Sequence, residues 1–169
     1  MAPGLHLIAL LGFALLMAAA AIEDARRLVI PNPLVLALCA LWPLGFATGA
    51  EASLAAGAVA VTGAAAMFLA GALVFARGLI GGGDVKLLSA SVLWAGAERA
   101  LPLLVLTGLI GGVLAIACLT PLGARVGAWR RRVPDPGAAV AGTWSGAPVP
   151  YGVAIAVAAL IVTLEPYFA

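Results

Sequence analysis

Seven acidic side chains occur in the 169 residues, and two of them, Asp24 and Asp84, stand where carboxylate chemistry is possible. Each lies where an apolar run ends or begins, and an ionisable group at that depth is costly enough to need a reason for being there. Two carboxylates brought close together cannot both ionise cheaply, so they share a proton and their titrations separate. One can then act as general base on a water while its protonated partner polarises a carbonyl and later donates to a leaving amine. Asp24 and Asp84, if they meet, therefore suit hydrolysis of a peptide bond.

The residues around each aspartate set what else it could be. Asp84 follows Gly81-Gly82-Gly83 and precedes Val85-Lys86-Leu87-Leu88. The glycines are expected to permit positive φ angles and to let another chain come close. An aspartate capping a helix after a glycine turn accounts for Asp84 alone, and Lys86 then reads as a snorkelling interfacial charge. Asp24 opens the segment Asp24-Ala25-Arg26-Arg27-Leu28-Val29-Ile30-Pro31-Asn32. A basic loop closed by a Pro-Asn turn explains Arg26, Arg27, Pro31 and Asn32, but it does not require an acid. Glu23 shares the location of Asp24. Glu51, Glu98 and Glu165 are expected in external loops or at an external end, and Asp135 in a long cytoplasmic loop, all solvated. Cys39 and Cys118 sit far apart in apolar runs without a CxxC pair, and His6 is the lone histidine, so no metal site is expected.

The elements that must position these residues follow from composition. The chain is 64% hydrophobic and 9% charged, with a mean hydropathy of +1.18, too little polar surface for a soluble protein of this size. A bilayer-crossing helix needs about 20 mainly apolar residues. Six candidate spans emerge, at residues 4 to 23, 33 to 49, 53 to 76, 85 to 97, 101 to 119 and 150 to 166. The expected fold is all-α, a polytopic helical membrane protein with one membrane-embedded domain over residues 1 to 169. The fourth span is short for a full crossing and must borrow from its glycine-rich approach.

Charge placement orients these spans. With the N-terminus outside, Arg26, Arg27, Arg77, Lys86, Arg125 and Arg130 to Arg132 fall on one side and only Arg99 on the other, a strong positive-inside asymmetry. Omitting the fourth span would move the Arg130 to Arg132 cluster outside. The first run could pass for a signal peptide, but no basic residue precedes it and two follow it, so it is expected to be retained as a helix. Residues 120 to 149, rich in Pro and Gly, read as a cytoplasmic loop, in which Trp129 beside the arginines is an interfacial anchor or a docking surface.

Asp24 with its arginines and Ile30-Pro31-Asn32, then Gly81-Gly82-Gly83-Asp84-Val85-Lys86-Leu87, then Val149-Pro150-Tyr151-Gly152-Val153-Ala154-Ile155, together resemble the type IV prepilin peptidases, the bacterial branch of the GxGD membrane aspartic peptidases. The resemblance implies that Asp24 and Asp84 are catalytic, with Gly81 and Gly83 as the motif glycines and Lys86, Pro31 and Asn32 as positioning residues. It aligns Asp24, not Glu23, by the spacing to Pro31-Asn32. It implies an inner-membrane enzyme that removes a short basic leader from a pilin-like precursor at the cytoplasmic face, with the precursor and the bilayer as partners and no cofactor or nucleic acid. Longer members carry a cytoplasmic insertion with paired CxxC motifs and also methylate the new N-terminus; this chain has neither the insertion nor those cysteines. It is therefore most similar to the short form associated with Tad or Flp pili, without methyl transfer.

Two rivals belong to other classes. A small transporter would use Gly81 to Asp84 as a broken-helix site and Asp24 as a coupling carboxylate, but leaves the Arg-Arg to Ile-Pro-Asn segment unexplained. A non-catalytic pilus-assembly subunit would keep the fold and only bind pilins; retention of both aspartates speaks against it.

Overall fold

In a computed structural model, which describes residues 3–49, 52–120 and 149–167, the chain is all-helical. Six α-helices are found among the described residues: α1 (Pro3–Arg27), α2 (Asn32–Thr48), α3 (Leu54–Ala76), α4 (Gly82–Ala95), α5 (Ala100–Leu119) and α6 (Tyr151–Leu164). Single 3-10 turns, Ala97–Arg99 and Glu165–Tyr167, precede α5 and follow α6. Each helix falls on one of the six apolar runs. Three helical stretches are long and apolar enough to cross a membrane, Gly4–Arg27, Leu54–Ala76 and Ala97–Leu119, so the protein is a polytopic membrane protein. Glu51, Asp135 and the 120-to-149 loop with its arginine cluster lie, apart from its end residues, outside the described residues.

The short helices are in the middle. α4 packs against α2, α3 and α6, while α6 also packs against α1 and α5. In α4, Val85, Leu87, Leu88, Ser89, Ala90, Ser91, Val92 and Ala95 are all buried. At 1.5 Å per residue, 14 residues extend only about 21 Å, less than the roughly 30 Å hydrocarbon core. A helix sheathed by protein faces little lipid, so it can be short and carry serines. Ser89 and Ser91 donate their hydroxyls to the carbonyls of Val85 and Leu87, both at 2.8 Å, which satisfies them within their own helix. α3 is the opposite case. Ala60 is its one buried residue, and Phe68, Leu69, Leu73 and Phe75 are exposed, an apolar surface that requires lipid.

The core runs between α1, α2, α4 and α6. Phe13, Met17, Leu38, Leu87, Val92, Ile155 and Ala159 are buried in one cluster. Trp94 stacks on Phe13 with ring centroids 4.7 Å apart and donates its indole N–H to the Leu38 carbonyl at 3.0 Å. These contacts clamp the end of α4 remote from Asp84, so the helix carrying that aspartate is fixed by its far half.

Candidate active site

The first helix runs four residues past the expected end of its span, and this places Asp24 in the last turn of α1, not in a loop beyond it. Consecutive helical residues point about 100° apart, and the two neighbouring acids separate accordingly. Glu23 faces outward and pairs with Arg27, one turn on, at 3.4 Å. Asp24 faces inward and is 4% exposed. Helix α1 then stops at Leu28, which adopts φ 56°, a left-handed conformation that costs a leucine about 1–2 kcal/mol. Its N–H still closes the last turn on the Asp24 carbonyl at 2.9 Å, and the reversal carries Ile30 inward, where it is buried.

Asp84 is the third residue of α4, after the capping Gly81 and the helical Gly82 and Gly83. An acid in the first turn faces the partial positive charge of unpaired backbone N–H groups. The carboxylate turns back toward Gly81, from which it receives a backbone hydrogen bond, and it lies near enough to Asp24 for the two groups to interact electrostatically. The positive φ angles expected of the glycines are not found. None of Gly81, Gly82 and Gly83 has a positive φ; among the described glycines only Gly78 and Gly96 do. Their role is space. A Cβ on Gly81 would lie 2.9 Å from Asp84 Oδ2, and one on Gly83 would lie 3.2 Å from Ile30 Cβ.

The two motif segments are thus packed on each other. Ile30 covers Gly83, Pro31 caps α2 in an extended conformation, and Lys86 donates to the Asn32 side-chain oxygen at 3.0 Å. This last bond is exposed and ties the start of α2 to the first turn of α4. Lys86→Met is expected to lower precursor cleavage by about threefold to tenfold through lost alignment. Thermal unfolding in detergent should show stability changed by no more than about 1 kcal/mol, because exposed polar pairs contribute little.

A third segment joins them, the 149-to-155 stretch of the family resemblance, whose contact with Asp24 the sequence did not indicate. At the start of α6, the Val153 N–H donates to Asp24 Oδ2 at 3.3 Å, and Gly152 packs directly on the Asp24 side chain. Asp24 and Gly152 lie too far apart in the chain for any periodicity to relate them. The groups at this end of the bundle also include Arg26, Arg27, Arg77 and Lys86, at or beside the ends of α1, α3 and α4.

The far end is different in character. A cavity of about 480 Å³ there is lined by residues including His6, Trp42, Phe46, Glu98, Arg99 and Tyr167, and neither aspartate lines it. His6 lies within hydrogen-bonding distance of the Tyr167 hydroxyl, at 2.7 Å, and no cluster of metal-ligating side chains occurs among the described residues.

In comparisons with curated proteins and with solved structures, none matches the chain. A family model, that of the type IV leader peptidase family, matches residues 11–116. The match spans both aspartates and their flanking motifs and stops before α6. Since it takes in well over half of the sequence, the chain belongs to the type IV leader peptidase family, the aspartic-type prepilin peptidases.

Proposed function

We propose that Asp24 and Asp84 are the catalytic pair of this prepilin peptidase, and that it removes the basic leader of Flp/Tad-type pilin precursors at the cytoplasmic face of a bacterial inner membrane. The observation that carries this reading is the placement of two carboxylates from separate helices, near enough to interact electrostatically and one of them 4% exposed, at the end of the bundle that also bears four basic residues. One carboxylate, ionised, takes a proton from water as it attacks the scissile carbonyl. The other, protonated, hydrogen-bonds the carbonyl oxygen and then protonates the departing amine. A basic leader held in the cytoplasm and a hydrophobic helix in the bilayer would present the junction between them to this end.

The same reading includes six crossings, an external N-terminus, a single membrane domain over residues 1–169 and no methyl transfer. The lack of a CxxC-bearing insertion between the two aspartates supports both the Flp/Tad subtype and the lack of methylation. Family membership sets the transporter alternative aside.

The test is co-expression with a Flp-type precursor in bacterial membranes lacking another prepilin peptidase. A mobility shift should report leader loss, and mass spectrometry of the product should find a free, unmethylated N-terminus. In a background with Cys39 and Cys118 changed to serine, a cysteine placed at Gly78 should react with a membrane-impermeant thiol reagent only from the cytoplasmic side, and one at Gly49 only from outside. Methylated product would overturn the first point, and reversed labelling the orientation.

A further inference from the structure

The contact between α6 and Asp24 has a specific geometry. Built onto Gly152, a Cβ would stand 2.8 Å from Asp24 Cγ, 2.8 Å from Oδ2 and 2.9 Å from Asp24 Cβ. The first two distances could be relieved by turning the carboxylate about χ1. The third could not, because Asp24 Cβ is fixed to the backbone of α1 and does not move with its own rotamer. Any side chain at position 152 must therefore push α1 and α6 apart or force Asp24 out of line.

Gly152 has no conformational reason to be glycine, since its φ is not positive, and in a helix alanine would be the better residue. Its neighbour supplies a complementary restraint. The Val153 N–H points at Asp24 Oδ2 at 3.3 Å, a long bond that it shares with the Pro150 carbonyl at 3.2 Å. A bond of that length fixes a carboxylate weakly by itself. The bare backbone of Gly152 adds a wall behind the carboxylate, which limits how far it can turn.

We infer that the first turn of α6, through the absent side chain of Gly152 and the backbone N–H of Val153, is a positioning element that holds the Asp24 carboxylate in register with Asp84. The inference rests on the reading that Asp24 is one of the catalytic pair. It adds a third chain segment to the site, beyond the two that carry the aspartates and outside the residues that match the family model.

Gly152→Ala, purified in detergent and assayed on a precursor peptide, is expected to lose on the order of 10- to 100-fold in kcat with KM within about twofold, the signature of a misplaced reacting group. Gly108→Ala is the control, since nothing lies within 4 Å of a Cβ there. Gly111→Ala is the packing control, because a Cβ at Gly111 meets the Tyr151 ring at 2.7 Å and not Asp24. Val153→Pro removes the donor in a first turn that tolerates proline and should lower kcat by about threefold to tenfold with KM unchanged. It decides the matter if Gly152→Ala does not fold. The inference is overturned if Gly152→Ala and Val153→Pro both keep wild-type kcat, or if Gly152→Ala shifts kcat, KM and thermal stability together as Gly111→Ala does. Asp24→Asn in the same assay separates the two levels. Full activity in that variant would remove the catalytic reading itself, whereas an inactive Asp24→Asn beside a fully active Gly152→Ala would remove only the positioning role.

Discussion

Asp24→Asn and Asp84→Asn are each expected to reduce precursor cleavage by on the order of 10³-fold or more, with the protein still inserted and folded. An amide is nearly isosteric with a carboxylate but can neither accept a proton from water nor deliver one to an amine. The two residues act on one reacting centre, so the losses should not add. The double variant is expected to be no worse than either single one, as found for groups that work as a unit. Glu23→Gln is the matched control. Glu23 is next to Asp24 in sequence but pairs with Arg27 at the surface, and its substitution should leave the rate within about twofold, as exposed ion pairs contribute little. Single-turnover assays with a pilin-precursor peptide would read all four variants. Normal processing by either aspartate variant would show that the assignment is wrong.

That control also marks how far the sequence could be read. Composition alone indicated a helical membrane protein, and each helix lies on an expected apolar run because burial in lipid leaves a one-dimensional signal. The end of α1 was less legible. Leu28, a residue with no preference for the left-handed conformation, ends the helix where a glycine or asparagine would have announced it. Asp24 is consequently a helical residue with a fixed direction, and Glu23 points elsewhere. Lys86 and Asn32 were each visible as polar residues in matching segments, but their bond joins α4 to α2 and depends on packing. Gly152 is the clearest case. The sequence marked it only as part of the third segment of the family resemblance; its contact with Asp24 comes from the approach of α6 to α1, whereas Gly108, another of the 21 glycines, has open space.

The three glycines before Asp84 differ in the same way, and this yields a graded expectation. Gly82→Ala should keep cleavage within about threefold, because its Cβ would come no closer than 3.3 Å to the edge of Phe75, an exposed ring that can yield into lipid. Stability should stay level or rise slightly, as alanine is favoured over glycine in a helix by about 1 kcal/mol. Gly81→Ala is costlier. Its Cβ would sit 2.9 Å from Asp84 Oδ2, so the carboxylate itself must rotate away, and a displacement of about 1 Å in a reacting group costs on the order of 100-fold. Gly83→Ala acts through its neighbour. Ile30 Cβ, 3.2 Å from the new methyl, is held by a buried side chain and a strained turn, so the 28-to-31 segment must shift by a few tenths of an ångström, with an expected loss of about tenfold. All three positions have ordinary backbone angles. If the glycines were needed for conformational freedom, alanine would be equally damaging at 81, 82 and 83. If instead they make room, kcat under saturating precursor should fall in the order 82, 83, 81 while helix content by circular dichroism stays constant. The tolerant middle position is the one that packs against lipid-facing α3, and the two demanding ones face the carboxylate and the segment that follows Asp24.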